Sequence, residues 1–173
     1  SCDVTTPVEL NYNNPADRAV IHAFARILGY CAADGSTKSK HGAIHDGSLY
    51  MGHEMDVNSV IADLKLVLGN NSSISFRTPN DTGGAFAVSI PMHLARVLLK
   101  FGIPLGKKFD QSIALPEIVL REDTPKGFIR EFLGGLFGGD GSCPIVNTSS
   151  GGWTPVKLHV SVRNDKAEES KAN

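Results

Sequence analysis

One apolar segment of the chain, rich in small residues, reads Leu133-Gly134-Gly135-Leu136-Phe137-Gly138-Gly139-Asp140-Gly141-Ser142. A second segment follows the same plan and reads Ile27-Leu28-Gly29-Tyr30-Cys31-Ala32-Ala33-Asp34-Gly35-Ser36. Both are predicted helices that stop at Asp-Gly-Ser, so each delivers one carboxylate at the end of a helix. If the two helices pack side by side, Asp34 and Asp140 come together, and a pair of carboxylates can hold a divalent metal ion.

The glycines in these segments favour close packing of the two helices. A glycine inside a helix costs about 0.5 to 1 kcal/mol relative to alanine, and the segment at residues 133–142 places four of them in one helix. That cost is understandable if another backbone must approach. The small residues predicted to form this helix interface are Gly29, Ala32, Gly134, Gly135 and Gly138. The alternative is that both segments are ordinary core helices that end in Asp-Gly turns.

Composition limits the classes of protein to which the chain can belong. Its 173 residues are 41% hydrophobic, which predicts one compact unit with an internal duplication. The net charge of -1 means that any basic surface must be local. Three cysteines at unrelated spacings favour reduced thiols. Without a membrane-length apolar run or a secretory leader, we expect an intracellular protein that is not secreted and has no membrane partner.

The order of predicted elements indicates an α+β fold. Periodicity and turn residues predict a helix, a hairpin, a helix, a hairpin and a helix, and then the start of the same series again. Asp46-Gly47 is a strong turn signal, so the first hairpin is expected to turn at residues 45–48. The predicted helices and strands cover residues 15–33, 36–44, 48–54, 56–68, 73–78, 84–90, 91–101, 126–139, 142–148 and 155–163.

The two segments resemble the paired dodecapeptide motifs of LAGLIDADG homing endonucleases, and residues 132–141 are the closer match. The first copy keeps Gly29 and Asp34-Gly35. The resemblance implies αββαββα subdomains related by a pseudo-two-fold axis, of which the second is incomplete. The expected divisions are an N-terminal extension at 1–14, a first subdomain at 15–124, the start of a second at 125–163 and a polar tail at 164–173.

The second subdomain is predicted to lack the helix and hairpin that would complete it. Unpaired strands leave an exposed sheet edge. We therefore expect either that the natural chain continues or that another copy fills the gap by self-association through the helix that contains Gly134 and Gly138.

The family resemblance also implies a chemistry. It implies a site-specific, metal-dependent endonuclease that cuts double-stranded DNA, as the endonuclease region of an intein, located in the nucleus or wherever the host gene resides. Mg²⁺ or Mn²⁺ would be bound by Asp34 and Asp140 together with the carbonyl oxygens of Ala33 and Gly139. A lysine near the reacting phosphate would be supplied by Lys107 or Lys108; the alternative is that this lysine pair lies in a solvated loop.

Basic residues on the predicted hairpins define a candidate DNA-binding surface, because two-stranded ribbons can enter the major groove. Each residue alone could be ordinary strand surface, and His41 and His45 lack a third ligand at a spacing that would suit zinc. The candidate residues are Lys38, Lys40, His41, His45, Arg77, Lys157, His159 and Arg163.

Two other functions stay open at this point. The first is a DNA-binding module of the same fold with weak or lost cleavage, indicated by the incomplete second half. The second is a protein-splicing element that uses Ser1 or Cys2 and Asn173. The splicing alternative is the weaker one, because Lys171-Ala172 stands where an apolar block with a histidine is expected.

Overall fold

The computed structural model describes residues 9–40, 43–80, 84–104, 115–142, 145–147, 152–155 and 157–158. The helices in this part of the chain are α1 (Pro15–Asp34), α2 (Glu54–Leu68), α3 (Met92–Lys100), α4 (Glu117–Leu120) and α5 (Lys126–Asp140). The strands are β1 (Gly35–Lys40), β2 (Ala43–Met51), β3 (Phe76–Arg77), β4 (Phe86–Ser89), β5 (Gly141–Ser142), β6 (Ile145–Asn147), β7 (Gly152–Thr154) and β8 (Lys157–Leu158). The predicted α+β class is confirmed.

Local chemistry at its first turn explains where α1 begins. The side chain of Asn14 accepts a hydrogen bond of 2.9 Å from the Ala16 amide, which satisfies a donor that the helix itself leaves unpaired. Pro15 occupies the first helical position, where its missing N–H costs nothing. Asp17 adds a negative charge to the first turn, where the helix dipole favours it.

The eight strands of the described residues form three separate sheets. β1 to β4 make one antiparallel sheet in the order β1-β2-β4-β3, whereas β5 pairs with β8 and β6 pairs with β7. In the four-stranded sheet Gly35 pairs with Leu49, and Phe76 pairs with Val88. The central strands β2 and β4 therefore lie between two edge strands that are far apart in the sequence.

The hydrophobic core forms where α1, α2 and α3 pack on this sheet and α5 packs on α1. Leu49 of β2 and Val88 of β4 are fully buried, as are Leu28 of α1 and Leu64 of α2. Phe132 of α5 is also fully buried in the same cluster. The second motif helix therefore belongs to the core that the first half of the chain builds.

The predicted turn of the first hairpin is wrong. Residues 45–48 lie inside β2, where Gly47 accepts a hydrogen bond of 2.8 Å from the Ile90 amide. A Cβ on Gly47 would stand 3.2 Å from the Cβ of Ile90, the residue after β4. Close packing against Ile90 therefore explains the glycine at this position. Instead, β1 ends at Lys40 and β2 begins at Ala43. The Asp-Gly signal was overridden by tertiary packing.

Other boundaries follow the sequence more closely. α2 ends before Gly69, whose φ of 95° is a conformation that glycine adopts without strain. The short helix α4 was not predicted and lies between the predicted helices at 91–101 and 126–139. In the described part of the chain, no helix combines the length and the apolar character that a membrane crossing requires.

Candidate functional site

Helices α1 and α5 cross with their backbones in contact. A Cβ placed on Gly29 would collide with the Phe132 carbonyl oxygen and stand 2.7 Å from the Leu136 nitrogen. A Cβ on Gly135 would collide with the carbonyl oxygen of Arg26. Real Cβ atoms do not approach backbone atoms so closely, and a backbone cannot swing aside as a side chain can. Gly29 and Gly135 are therefore required for this crossing.

The two helices have the same N-to-C direction, so their C-terminal ends lie side by side. Near their starts, a Cβ on Gly127 would stand 2.9 Å from His22 Nε2. Near their ends, a Cβ on Gly139 would overlap the Ala33 Cβ and stand 2.7 Å from Asp34 Oδ2. The contacts therefore continue along the pair, and the shared end, which contains Ala33, Asp34 and Gly139, is called the helix foot below.

The helix foot brings together part of the predicted metal site. Asp34 is the last residue of α1, and its carboxylate contacts the position of Gly139. Asp140 directly follows Gly139 as the last residue of α5, and its side chain lies outside the described part of the chain. Within the described residues, no group of three or more histidines, cysteines, aspartates or glutamates is placed to hold a metal ion.

The other predicted interface residues divide into two groups. Gly138 faces α1, because a Cβ there would stand 2.9 Å from Cε1 of Tyr30. Ala32 is partly buried and packs against the core. Gly134 is different: a Cβ there would have no described atom within 4 Å. The prediction that Gly134 lies in the helix interface is wrong, since it lies one position away from Gly135 and points to the outer face of α5.

The predicted basic surface is spread over several strands. Lys38 lies on β1 and Arg77 on β3, which are the opposite edges of the four-stranded sheet. Both side chains are exposed, as is that of Lys157 on β8. The backbones of Lys40 and His45 belong to β1 and β2, but their side chains are not described. The predicted residues that lie outside the described part of the chain are Lys107, Lys108, His41, His159 and Arg163.

An ion-pair network beside the helix crossing was missed by the sequence analysis. The Arg26 guanidinium on α1 donates to Asp63 on α2 through Nε, at 2.8 Å, and through Nη2, at 2.6 Å. Its Nη1 donates to Glu131 Oε2 on α5 at 2.6 Å. The signal that could have revealed it is Asp63, a carboxylate in the apolar stripe of α2 that is only 8% exposed, because a buried charge requires a partner.

The charges of this network stabilise one another. The hydrogen bond to Asp63 raises the pKa of Arg26, burial opposes the rise, and the bond to Glu131 adds to it, so the guanidinium stays charged. Burial acts to raise the pKa of Glu131, but hydrogen bonds from Arg130 and Arg26 outweigh it and leave this pKa below its ordinary value of 4.5. Arg26 thus joins α1, α2 and α5 as a permanent cation between two carboxylates.

Tyr30 lies between this network and the helix foot. Its ring packs against Gly138 of α5, and burial raises the pKa of its hydroxyl, with further increases from the charges of Asp56 and Asp63. The phenol is therefore neutral at physiological pH and acts as a packing group in the helix pair.

A cavity of about 460 Å³ opens at the other end of the helix pair. Its walls are mainly apolar and include Ile21 and Phe24 of α1 and Phe128 of α5, with Arg121 and Asp123 at the polar side. Since α1 and α5 begin here and end at the helix foot, the cavity and the predicted metal site lie at opposite ends of the same two helices.

Comparison with known proteins finds similarity to one kind of enzyme. The chain is 29% identical over 170 residues to a tRNA-splicing ligase RtcB from Pyrococcus abyssi, which covers 93% of this chain and 17% of that protein. It is 28% identical over 161 residues to the protein of the same name from Pyrococcus furiosus, a match that covers 86% of this chain and 16% of that protein. It is 28% identical over 184 residues to the protein of the same name from Methanocaldococcus jannaschii, a match that covers 91% of this chain and 17% of that protein.

These similarities are limited in extent. The chain spans 16 to 17% of the length of the curated relatives that it matches. No family model matches the chain.

The relatives overturn the predicted function. All three carry the name of an RNA ligase, whereas the sequence analysis predicted a site-specific DNA endonuclease, with a DNA-binding module or a protein-splicing element as alternatives. Those predictions, including the intein origin, are wrong. The physical reason for the error is that carboxylates at a helix foot suit phosphate chemistry in general and do not discriminate DNA from RNA or cleavage from joining.

Proposed function

We propose that this chain has the LAGLIDADG fold and uses it outside DNA cleavage. The support is the element order from α1 to α3, which is αββαββα, followed by a second motif helix with short antiparallel strands. Further support comes from the two parallel helices that pack through Gly29 and Gly135 and both end in an Asp-Gly pair. The second repeat would begin near residue 125, as the sequence indicates.

The function that we propose is metal-dependent action on RNA phosphates, within a protein related to tRNA-splicing ligases. The observation that carries this proposal is that Asp34 Oδ2 lies 2.7 Å from the position that a Cβ on Gly139 would occupy at the helix foot. The end of α1 therefore lies beside the residue that precedes Asp140. Similarity to three tRNA-splicing ligases supports RNA as the substrate class.

The donor atoms at the helix foot fit a hard divalent cation. Carboxylates of Asp34 and Asp140, with the main-chain carbonyls of Ala33 and Gly139, offer oxygen ligands of the kind that Mg²⁺ and Mn²⁺ prefer. A bound cation would supply charge neutralisation at a phosphate and would polarise its oxygens. Lys107 or Lys108 would add a positive charge near the same phosphate.

The surface around the foot supplies contacts for an RNA backbone. Lys38 lies on β1, the strand that directly follows α1, and its side chain is exposed. Lys157 on β8 pairs in register with Ser142, which follows α5 by two residues. Each half of the molecule therefore places an exposed lysine on the strands next to its own motif helix, where phosphates are the expected partners.

An RNA assay tests this proposal directly. Labelled tRNA half-molecules would be incubated with the protein and Mg²⁺ or Mn²⁺, and binding and joining would be followed beside duplex DNA of the same sequence. We expect binding of RNA in preference to DNA, and loss of the metal-dependent part of that binding in Asp34→Asn and in Asp140→Asn. The control variant is Glu54→Gln, which removes an exposed carboxylate on α2.

Two results would reject the proposal. One is equal binding to RNA and DNA by the wild-type protein. The other is RNA binding that responds to metal identically in the wild type and in both aspartate variants.

A further inference from the structure

We infer that Arg26 is a positioning residue for the helix foot: it fixes the register of α5 on α1 and thereby the relative placement of Asp34 and Asp140. This inference rests on the proposed metal site for its functional meaning. Its structural part, the control of register, stands on the contacts of Arg26 alone.

The first half of the chain holds Arg26 in place. Nε and Nη2 of the guanidinium both bind the Asp63 carboxylate, at 2.8 and 2.6 Å. Such a two-point contact fixes the plane of the guanidinium as well as its position. Asp63 is itself only 8% exposed on α2, so the cation is anchored to the core and not to a mobile surface side chain.

The remaining arm of the guanidinium reaches the second half of the chain. Nη1 donates to Glu131 on α5 at 2.6 Å, and the Arg26 carbonyl oxygen is the atom that a Cβ on Gly135 would strike. Glu131 and Gly135 are one helical turn apart on the same face of α5. Arg26 therefore contacts α5 at two successive turns, once through its side chain and once through its backbone.

Glycine packing alone leaves the register of α5 poorly determined. A glycine permits close approach but makes no directional bond, and α5 offers glycines at positions 134, 135, 138 and 139. Sliding by one residue would exchange Gly135 for Gly134 at the crossing. The directional ion pair with Glu131 discriminates between these arrangements, because its donor and acceptor meet in one of them.

The register set by Arg26 determines the geometry at the helix foot. Ala33 and Gly139 are in contact there, and Asp34 and Asp140 follow them directly along the chain. A shift of α5 along α1 would move the Asp140 backbone relative to Asp34. The ion-pair network lies about two turns before the foot, so its effect on a metal site would pass through the position of the helix.

Arg130 provides a matched control. Its Nη2 donates to Glu131 Oε1 at 2.8 Å, so it contacts the same carboxylate, but its side chain is 74% exposed and it lies on α5 itself. It cannot tie α5 to α1. Substitution of Arg130 therefore perturbs Glu131 without removing the link between the helices.

The test measures register and metal affinity separately. The register is read by NMR, from the NOE between the Ala33 methyl protons and the Gly139 α protons. Affinity is read from Mn²⁺ titration of the folded protein. In Arg26→Met, which keeps side-chain length without charge, we expect the NOE to weaken by at least half and the Mn²⁺ dissociation constant to rise by about tenfold, as for loss of a residue that orients metal ligands.

Two further variants serve as a control and as a second test of the link between the helices. Arg130→Ala should leave both readouts at the wild-type values. If Arg26→Met does not fold, Glu131→Gln retains the Arg26 to Asp63 contact and should show the same changes at smaller size. A folded Arg26→Met variant with the wild-type NOE and wild-type Mn²⁺ affinity overturns the inference.

Failure of the proposed function would look different. If the wild-type protein binds no Mn²⁺, the proposal of a metal site is wrong, and Mn²⁺ titration gives no dissociation constant for any variant. The NOE then still decides whether Arg26 sets the register of α5.

Discussion

Helices α1 and α5 end in the same Asp-Gly-Ser sequence but are held in place differently. α1 contains one glycine, Gly29, and is surrounded by the core that α2, α3 and the sheet provide. α5 has glycines at 127, 134, 135, 138 and 139, packs mainly on α1, and leaves Leu133 38% exposed on its outer face. The first copy is surrounded by the core, whereas the second adds Phe128, Phe132 and Leu136 to that core but packs mainly on the first copy.

The difference shows which contacts position the helix foot. α1 is held by burial among its neighbours and by the two bonds from Arg26 to Asp63. α5 packs mainly on α1 and contributes Phe132 to the core. Its position along α1 therefore depends most on the backbone crossing and on the ion pair of Arg26 with Glu131. Substitutions at the crossing should therefore have the largest effects, and substitutions on the outer face of α5 the smallest.

Substitution at the helix crossing should be the most damaging change. Gly135→Val would place side-chain atoms where the Arg26 carbonyl oxygen now lies. We expect a loss of about 3 kcal/mol or more in the free energy of unfolding, measured by urea denaturation, because the overlap involves backbone that cannot rotate away. A loss below about 1 kcal/mol would mean that the two backbones are not in contact.

Removal of the Arg26 side chain should come next. Arg26→Ala leaves Asp63 and Glu131 without their shared cation. Breaking a buried pair costs about 3 to 5 kcal/mol, and because Arg26 is 32% exposed, we expect about 2 kcal/mol in thermal or chemical denaturation. Arg130→Ala serves as the control and should change stability by less than about 0.5 kcal/mol.

Acid should weaken the link between the helices through Glu131. Its pKa lies below the ordinary 4.5 in the folded protein, so its contribution is present above that value and is lost as pH falls through the folded pKa. Stability of the wild type should therefore decline below pH 4.5 more steeply than that of Glu131→Gln. Parallel curves of unfolding free energy against pH for the two proteins would contradict this assignment.

The smallest effect is expected on the outer face of α5, and it should be favourable. A Cβ at Gly134 meets no described atom within 4 Å, so Gly134→Ala should raise the unfolding free energy by about 0.5 to 1 kcal/mol through helix propensity alone. Circular dichroism during urea unfolding measures it. Destabilisation by this substitution would show that the outer face is covered, as the predicted self-association through this helix requires.

Features of the fold that depend on neighbours in sequence were predictable. Asn14 and Pro15 mark the start of α1, Gly69 ends α2, and the periodicity of residues 126–139 predicted α5 to within one residue of its end. The prediction of a turn at Asp46-Gly47 was wrong because packing of Gly47 against Ile90 outweighs a local turn preference. Turn signals describe an isolated hairpin, and β2 is a central strand.

Features of the candidate site that depend on tertiary contacts were only partly predictable. The glycine pattern indicated a close helix pair but could not tell Gly135 from Gly134, because the two differ only in which face of α5 they occupy. The Arg26 network joins residues from three helices, so the sequence could indicate only that Asp63 needs a partner and not which residue supplies it. The prediction of a DNA endonuclease was wrong because carboxylate and carbonyl ligands, on which it depended, would suit phosphate chemistry on any nucleic acid.

In the proposed metal site, α1 and α5 bring Asp34 and Asp140 to one divalent cation. Mn²⁺ binding, followed by electron paramagnetic resonance, tests it most directly with the wild type, Asp34→Asn, Asp140→Asn and the control Glu54→Gln. We expect saturable binding by the wild type and the control, and affinity at least about tenfold weaker in each aspartate variant. Wild-type affinity in both aspartate variants would contradict the claim.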